Sequence, residues 1–413
     1  MAAQKHEATF VGLDIGSSKV VCIVGLHQQD LATPSIIGVG TAPVSGLKRG
    51  VVTDVEETVS AITAALEEAE RMSGIAIDGA TINVDGSHLQ GINKSGVVAV
   101  SRADREIVAD DLSRAELVAS NINLEANRQI INVIPKAYHV DDQKNVSDPV
   151  GMHGIKLEID AFILTGSTPA MKNLQNAVFR SGIAINQQTA TAVAAAKALL
   201  SKQQRELGVA VINFGSESTS LAVFEQGSLN YLSVLPLGSS SITKDLVYGL
   251  RITPEVAENL KIQHAIAAKP RGKTNKHINL EEFGAAGNVY QHDIDTIVSS
   301  RLEEIFQLTE KELKKAISTS GGLGAGIILT GGGANMPEIT NFAKHIIGAP
   351  VHLGRVTGYT GISDKISDPT YSVAVGLMLE DMEVPAQKRH NQLTDILKST
   401  LQRLKSIVKG LMP

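Results

Sequence analysis

The chain has 413 residues, of which 43% are hydrophobic, and a formal net charge of −5, so it is long enough for two or more domains with separate cores. No apolar run reaches the ~18 residues of a membrane-spanning helix, and the first residues lack the apolar segment of a secretory signal. We therefore expect a cytosolic protein whose mild acidity gives no general attraction to nucleic acid. Its one cysteine, Cys22, lies in an apolar stretch and is expected to be buried.

The first segment predicts three strands followed by a helix. Apolar, β-prone runs indicate strands over 10–15, 19–24 and 36–39. Apolar residues at helical spacing then indicate a helix over 54–73, with Asp54 as the expected N-cap and Gly74 as the expected stop.

The same order of elements recurs in the second half of the chain. Strands are predicted over 209–214, 221–224 and 229–234, and the first two are again joined by a turn of small residues. This recurrence indicates an internal duplication, which is the plan of a two-lobed domain with a cleft.

The region between the two halves is long enough to form an inserted subdomain. We predict strands there over 97–100, 129–133 and 157–164, and a helix near 107–122. Beyond the second half, we predict helices over 253–268 and 293–318, separated by the basic stretch 269–277, and a polar linker over 381–392. The basic stretch has no interleaved aromatic residues and is interpreted as a loop, not as a nucleic-acid site.

Three apolar strands end in turns of small residues, at 16–18, 215–218 and 331–333. Glycine lets the backbone approach a ligand closely, and successive backbone N–H groups can then point at a phosphate. Asp14 lies in the first of these strands, where a metal ion held by nucleotide phosphates would balance its charge. A plain hairpin with a surface aspartate is the alternative there. The third turn is more specific, because a strand, three glycines and Pro337 early in a helix are predicted within ILTGGGANMPEI.

These turns resemble those of the actin, Hsp70 and sugar-kinase superfamily, and six stretches of the chain resemble the FtsA family of bacterial cell-division actins. The stretches are IIGVGTAPVSGLKRGVVTDVEETVSAI (36–62), VIPKAYHVDDQKNVSDPVGMHGIKLE (133–158), ELGVAVINFG (206–215), AENLKIQHA (257–265), ILTGGGANMPEI (328–339) and GISDKISDPTYSVAVGLM (361–378). The stretch at 133–158 resembles the subdomain peculiar to this family, so the resemblance reaches beyond the nucleotide turns.

The resemblance implies an α/β, actin-like two-lobed fold with duplicated ribonuclease-H-like halves, an inserted subdomain and a C-terminal amphipathic helix. It also implies that helices over 188–200 and 369–379 join the lobes. The implied parts are subdomain 1A (1–80 and 166–204), inserted subdomain 1C (81–165), subdomain 2A (205–245 and 321–380), subdomain 2B (246–320), a linker (381–392) and a membrane-targeting helix (393–413).

The resemblance further implies a site for ATP or ADP with Mg²⁺, in which the first two turns hold the phosphates and the third meets the adenosine. Asp14 would reach the metal only through the nucleotide. Glu258 and Lys261 match the pair that faces the adenosine, although an exposed helical ion pair is the alternative. The implied nucleotide-binding residues are Asp14, Gly16, Ser17, Ser18, Lys19, Gly215, Ser216, Ser218, Glu258, Lys261, Gly331, Gly332, Gly333 and Asn335.

The second turn departs from the superfamily pattern, which is Asp-x-Gly-Gly-Gly-Thr-x-Asp. Asn213 and Ser220 stand at the two acidic positions, and Glu217 adds a negative charge where the β- and γ-phosphates are expected. Metal positioning and water activation should both suffer. We therefore predict either weak nucleotide binding or a nucleotide held mainly through Asp14, Gly16 and the turn at 331–333. In both cases we expect little or no hydrolysis, and we assign no catalytic residue.

The segment 393–413 has apolar residues at helical spacing, with lysines beside the apolar face. This pattern is typical of a helix that lies in a membrane interface, where each basic residue near anionic lipid contributes about 1 kcal/mol. A helix docked on the body or a coiled-coil seam is the alternative, and the resemblance favours the membrane. The residues assigned to this role are Leu393, Ile396, Leu397, Leu401, Leu404, Lys405, Ile407, Val408, Lys409 and Leu411.

The resemblance implies a scaffold that tethers FtsZ filaments to the inner face of the cytoplasmic membrane at the septum, forms filaments itself and recruits later division proteins. It places the docking surface for the C-terminal tail of FtsZ near the helix predicted over 293–318, where Arg301 offers a forked donor to carboxylates. The missing acidic pair disfavours a phosphotransferase or ATPase of the superfamily, and a chaperone-like ATPase would need a peptide-binding domain. A PilM-like pilus adaptor would share the body but lack the membrane helix.

Overall fold

The computed structural model describes residues 8–27, 33–270, 276–317 and 322–385. The helices are α1 (Val55–Ser73), α2 (Ala109–Ala119), α3 (Thr168–Arg180), α4 (Thr191–Leu199), α5 (Lys202–Leu207), α6 (Ser239–Leu250), α7 (Pro254–His264), α8 (Gln291–Ile317), α9 (Ile339–Ile347), α10 (Ser363–Ile366) and α11 (Ser372–Glu383). Short 3₁₀ helices cover Leu280–Phe283, Gly332–Asn335 and Pro369–Tyr371. Within the described ranges, none of the helices combines the length and the apolar content needed to cross a bilayer.

The strands alternate with these helices along the chain. They are β1 (Ala8–Ile15), β2 (Lys19–His27), β3 (Ser35–Pro43), β4 (Leu47–Lys48), β5 (Val51–Val52), β6 (Gly79–Val84), β7 (Gln90–Ala99), β8 (Arg128–Val140), β9 (Gln143–Val146), β10 (Lys156–Ser167), β11 (Ala184–Ala190), β12 (Val209–Phe214), β13 (Thr219–Glu225), β14 (Ser228–Leu235), β15 (His277–Asn279), β16 (Asn288–Tyr290), β17 (Ile327–Thr330), β18 (Val351–Leu353) and β19 (Thr360–Gly361).

The chain divides into two compact units, and the first contains the described residues before Asp85, Met171–Ala198 and those from Arg355 onward. Its sheet has the strand order β11-β6-β1-β2-β3-β19. β2 pairs antiparallel with β1 and β3, whereas β6 pairs parallel with β1 and β11. Cys22 lies in this sheet with no exposed surface, and burial raises the pKa of its thiol, which confirms the expected buried cysteine.

The helix predicted over 54–73 is confirmed as α1, which packs against β3. The Asp54 carboxylate accepts a hydrogen bond from Glu57 N, and Gly74 ends the helix in the left-handed conformation at φ 70°. Both ends therefore follow the capping chemistry that the sequence predicts.

The second unit contains Asp85–Ala170 and Leu199–Gly354. Its main sheet has the order β14-β13-β12-β17-β18, in which three antiparallel strands are followed by parallel β17 and β18. This is the plan of β3-β2-β1-β6-β11 in the first unit, so the predicted duplication is confirmed. Phe214 of β12 and Phe306 of α8 pack together in the core of this unit. Their ring centroids lie 6.1 Å apart, and both side chains are fully buried.

The inserted region has a sheet of its own within the second unit. Antiparallel strands in the order β7-β10-β8-β9 carry α2 on one face, and Ile107, Leu157 and Ile159 are fully buried in a separate core. α2 is shorter than the predicted helix because Val108 and Ser120 already lie outside it as caps.

Three of the helix boundaries predicted from the sequence are wrong. Gln188 lies in β11, where it pairs with Ile82, so the helix predicted over 188–200 begins only at Thr191. Pro337 precedes α9 and is not inside it, because Glu338 takes a left-handed φ of 64° before the helix begins. The helix predicted over 253–268 likewise ends at His264.

The linker predicted over 381–392 begins too early. Residues 381–383 complete α11, and Asp381 is only 2% exposed, because its carboxylate accepts hydrogen bonds from buried groups of the first unit. The later part of that linker, the segment 393–413 and residues 271–275 of the basic stretch lie outside the described residues.

Candidate functional site

The first turn, in the first unit, is closed by its own backbone. Gly16 N donates to Lys19 O at 3.1 Å, and a Cβ at Gly16 would lie 2.9 Å from that oxygen. Ser17 Oγ accepts a hydrogen bond from Gly50 N at 3.2 Å, whereas Ser18 is exposed. The turn therefore has a defined shape in which the Ser18 side chain faces solvent.

Asp14 is half-buried at the end of β1, within a polar network that a plain hairpin would not have. Asn83 Nδ2 donates to Asp14 Oδ1 at 2.7 Å, and Asn83 Oδ1 accepts from Ile15 N at 2.7 Å. Thr191 Oγ1, at the start of α4, lies 3.2 Å from Asn83 Nδ2. Sequence reasoning missed Asn83, although a polar side chain near the end of an apolar strand was a signal that could have found it.

Lys19 follows the first turn and is surrounded by charged and aromatic groups. Burial lowers the pKa of Lys19, while the nearby carboxylates of Asp368 and Asp14 raise it. Its ammonium nitrogen lies 5.8 Å from the centroid of the Tyr371 ring, within reach of a cation–π interaction. The first turn thus has a lysine beside its aspartate, and both could act on a phosphate group.

The second turn, in the second unit, closes in the same way, since Gly215 N donates to Ser218 O at 3.0 Å. It is also attached to the start of α6. Ser239 N donates to Gly215 O at 3.0 Å, and Ser240 N donates to Ser216 O at 2.8 Å. The first amides of α6 thus bind the carbonyl oxygens of the turn, which fixes the turn against the helix.

The residues that replace the acidic pair are buried beside this turn. Asn213 and Ser220 are 7% and 1% exposed and lie opposite each other on β12 and β13. A Glu217 carboxylate oxygen lies 3.4 Å from Lys244 Nζ. The negative charge that the sequence places near the phosphates is therefore partly balanced by a lysine that sequence reasoning did not single out.

The third turn lies next to the second, because β12 and β17 are parallel neighbours. Gly331 has φ 89°, and a Cβ there would lie 2.7 Å from Phe214 O. A Cβ at Gly333 would lie 2.5 Å from the Phe214 ring. Packing against the end of β12 thus explains two of the three glycines, while Gly332 and Asn335 are exposed.

Glu258 and Lys261 form a compact cluster with Thr243 in the second unit. Lys261 Nζ donates to Glu258 Oε2 at 2.7 Å and to Thr243 Oγ1 at 2.9 Å, and Thr243 Oγ1 donates to Glu258 Oε2 at 2.6 Å. Lys261 is 8% exposed; burial lowers its pKa and Glu258 raises it. The pair is therefore a helical ion pair whose lysine is buried, while the Glu258 side chain is 45% exposed. Lys261 Nζ also lies 3.4 Å from Ser239 O, beside the second turn.

Arg301, the candidate docking residue on α8, already binds two carboxylates of the second unit. Its Nε and Nη2 donate to Asp245 at 2.5 and 2.8 Å, and its Nη1 donates to Glu304 at 2.5 Å. Hydrogen bonding to Asp245 raises the pKa of Arg301. Tyr248, three residues beyond Asp245 on α6, is 82% exposed.

The chemistry of these groups suits a nucleotide. Closed glycine turns, the exposed Gly332 backbone and a buried lysine match phosphate and polar nucleoside groups. Among the residues that the structure describes, no three His, Cys, Asp or Glu side chains are grouped as metal ligands.

Comparison with known proteins gives two family matches and full-length relatives. Residues 210–376 match the family described as cell division protein FtsA, and residues 86–165 match the SHS2 domain inserted in FtsA. The chain is 30% identical to the cell division protein FtsA of Pseudomonas aeruginosa, over 99% of this chain and 100% of that protein. It is 36% identical to the FtsA of Bacillus subtilis, over 89% of this chain and 82% of that protein.

Solved structures with the same fold include actin-like proteins. The PilM–PilN type IV pilus biogenesis complex matches with a TM-score of 0.64 and 16% identity, covering 91% of this chain and 98% of that chain. MreB5 of Spiroplasma citri bound to ADP matches with a TM-score of 0.52 and 13% identity, covering 90% and 95%. These likenesses show the actin-like fold, and the full-length sequence matches show the family: the chain belongs to the FtsA family of cell division proteins.

Proposed function

We propose that this chain is a scaffold that anchors FtsZ filaments to the cytoplasmic membrane, assembles into actin-like filaments and recruits later division proteins. The observation that supports this most directly is the match to FtsA over almost the whole chain, combined with the amphipathic pattern of 393–413. The body would supply nucleotide and protein contacts, and the terminal segment would supply the membrane contact.

ATP or ADP would bind through the predicted residues of the three turns, with the Glu258–Lys261 pair near the adenosine. Asp14 is oriented by Asn83 within the first unit, and the backbone of the second turn is fixed by α6 within the second, so each group is already ordered in its own unit. When bound with the nucleotide, Mg²⁺ would shield the phosphate charge. Because Asn213 and Ser220 carry no carboxylate, we expect hydrolysis to be slow or absent.

The surface formed by Arg301, Asp245 and Tyr248 would bind the C-terminal tail of FtsZ. An exposed tyrosine beside a charged pair is the composition of many protein contact sites. An acidic tail could reach the Arg301 guanidinium only by replacing Asp245 or Glu304. Asp245→Asn weakens the internal ion pair and should therefore raise affinity for an FtsZ tail peptide, whereas Tyr248→Ala should lower it.

The segment 393–413 would lie in the membrane interface. Leu404→Glu places a charge in the apolar face and should release the protein from liposomes that contain anionic lipid. Gln402→Glu makes the same charge change on the opposite side of the helical wheel and is the matched control. Equal release by both variants, or continued binding of Leu404→Glu, would overturn the assignment.

Electron microscopy of the purified protein on anionic lipid monolayers tests the scaffold as a whole. We expect ordered filaments with ATP that are lost from the monolayer when residues 393–413 are deleted. A monomer that ignores lipid and transfers phosphate would instead support an enzyme of the same superfamily. Failure to bind FtsZ would contradict the anchoring role, whether the protein forms filaments or remains a monomer.

A further inference from the structure

Asp85 directly follows β6 and contacts the second turn within the second unit. Ser218 Oγ donates to Asp85 Oδ2 at 2.6 Å, a short distance typical of a hydrogen bond to a charged acceptor. Ser218 is 5% exposed and its carbonyl oxygen closes the turn through Gly215 N. A carboxylate from outside the turn is thus attached to the residue that closes it.

The other oxygen of this carboxylate has a different environment. Asp85 Oδ1 is buried and has no hydrogen-bond partner among the described residues. Burial raises the pKa of Asp85, while the Ser218 hydroxyl and the Gly86 backbone lower it. A buried carboxylate oxygen without a donor is unfavourable, so the site favours a donor or cation in addition to the groups that the described residues provide.

The second turn has no other carboxylate in a comparable position. Asn213 and Ser220 replace the acidic pair, and the Glu217 carboxylate is directed to Lys244. Asp85 therefore supplies a carboxylate beside a turn whose acidic pair is replaced. Its Oδ1 atom is an acceptor without a hydrogen-bond partner among the described residues.

We propose that Asp85 is a positioning residue that makes nucleotide binding depend on magnesium: it orients Ser218 through Oδ2, and its carboxylate would favour the Mg²⁺ that accompanies the phosphates. This inference rests on the proposed binding of ATP or ADP. Without Mg²⁺, the negative charge of Asp85 would disfavour the binding of phosphates; with Mg²⁺ bound beside the phosphates, the same charge would favour it. The role of Asp85 is therefore measured by the ratio of nucleotide affinity with Mg²⁺ to nucleotide affinity without it, here called the magnesium effect, and not by either affinity alone.

The test measures Kd for ADP and for ATP by competition with a fluorescent adenine nucleotide, with Mg²⁺ and with EDTA, on the full chain. We expect Asp85→Asn to bind more tightly than the unchanged protein in EDTA and more weakly in Mg²⁺, so that the magnesium effect falls by about tenfold, which corresponds to about 1.4 kcal/mol of coupling. Ser218→Ala should lower the magnesium effect by a smaller factor, since Oδ1 stays in place but is less well oriented.

Two further variants separate this role from general effects of charge. Asp142→Asn removes one exposed negative charge in the inserted region and should leave the magnesium effect unchanged. Glu217→Gln removes a charge from the turn itself; if it lowers the magnesium effect as much as Asp85→Asn, the role assigned to Asp85 is overturned.

The remaining outcomes are also decisive. If Asp85→Asn lowers the midpoint of thermal unfolding but keeps the magnesium effect, Asp85 is only a structural residue at the entry to the inserted region. If the unchanged protein binds neither nucleotide in Mg²⁺, the proposed nucleotide site fails, and this inference fails with it. If the unchanged protein binds nucleotide in Mg²⁺ and Asp85→Asn shows the same magnesium effect, this inference alone is overturned.

Discussion

The Asn83 side chain donates its amide to Asp14 Oδ1 at 2.7 Å and thereby fixes the carboxylate of the first turn. The same side chain accepts from Ile15 N at 2.7 Å, so one amide group joins the end of β1 to the end of β6. A side chain that orients a carboxylate proposed to bind nucleotide and also satisfies a buried backbone amide has two effects when it is removed.

Asn83→Ala should lower both stability and nucleotide affinity. Loss of the acceptor leaves Ile15 N unpaired in a buried strand, which costs about 1–3 kcal/mol, and loss of the donor lets Asp14 rotate. Denaturant unfolding and nucleotide titration measure the two effects. Asn121→Ala, at an exposed position, should change neither. An Asn83→Ala variant that binds ADP as tightly as the unchanged protein would show that Asp14 needs no orientation.

Gly376→Ala should destabilise the first unit. A Cβ at Gly376 of α11 would overlap the carbonyl oxygen of Ala194 in α4, and because this neighbour is backbone, the two helices would have to separate, at a cost of about 1–3 kcal/mol. The midpoint of thermal unfolding should fall.

Gly249→Ala is the matched control for this substitution. Gly249 lies within α6, and the atom that a new Cβ would meet is the terminal methyl group of Ile297. A side-chain end can move, and alanine favours the helix by up to about 1 kcal/mol. Its unfolding midpoint should therefore stay equal or rise, and a loss equal to that of Gly376→Ala would contradict the argument from backbone contact.

Asp381 holds the end of α11 to the sheet of the first unit. Its carboxylate accepts hydrogen bonds from Val11 N at 3.0 Å, Thr81 Oγ1 at 2.9 Å and Asn186 Nδ2 at 2.9 Å. Asp381→Ala leaves two buried donors and the half-buried Asn186 amide without their acceptor and should reduce the free energy of unfolding by about 3 kcal/mol or more. Urea unfolding checks this, with Asp142→Ala as an exposed control, and equal midpoints would contradict it.

Local patterns predicted much of the fold. The helix over 54–73 was found because Asp54 and Gly74 give capping signals that do not depend on distant residues. The duplication was found because strand–turn–strand patterns repeat along the chain. Gln188 and Asp381 were misplaced because their environments are set by residues far away in sequence: β6 pairs with Gln188, and Val11 donates to Asp381.

The site was predictable only in part for the same reason. The glycine turns are visible in the sequence, whereas Asn83, Thr243 and Asp85 act through contacts with residues 15 to 133 positions away. The sequence also could not show that Phe214 packing accounts for Gly331 and Gly333, since a ligand and a neighbouring ring require the same small residue.

Substitutions at Ser220 test whether the second turn can accept an acidic residue at this position, as in the superfamily pattern. Its Oγ is buried with no hydrogen-bond partner among the described residues, so Ser220→Ala should be neutral or slightly stabilising. Ser220→Asp, in contrast, buries a carboxylate in a position that is 1% exposed and should cost several kcal/mol in the absence of ligand.

Nucleotide with Mg²⁺ should partly reverse the loss in Ser220→Asp. If the second turn holds the phosphates, the metal supplies a cation near the new carboxylate, and binding to the folded state raises stability by mass action. Thermal unfolding of Ser220→Asp, Ser220→Ala and the unchanged protein, each with and without ATP and Mg²⁺, measures this. The expected result is a larger ligand-induced rise in midpoint for Ser220→Asp than for the other two. An equal rise in all three proteins would show that a carboxylate at position 220 does not interact with the bound metal. An acidic residue at Ser220 alone would then not be enough to restore the function of the acidic pair.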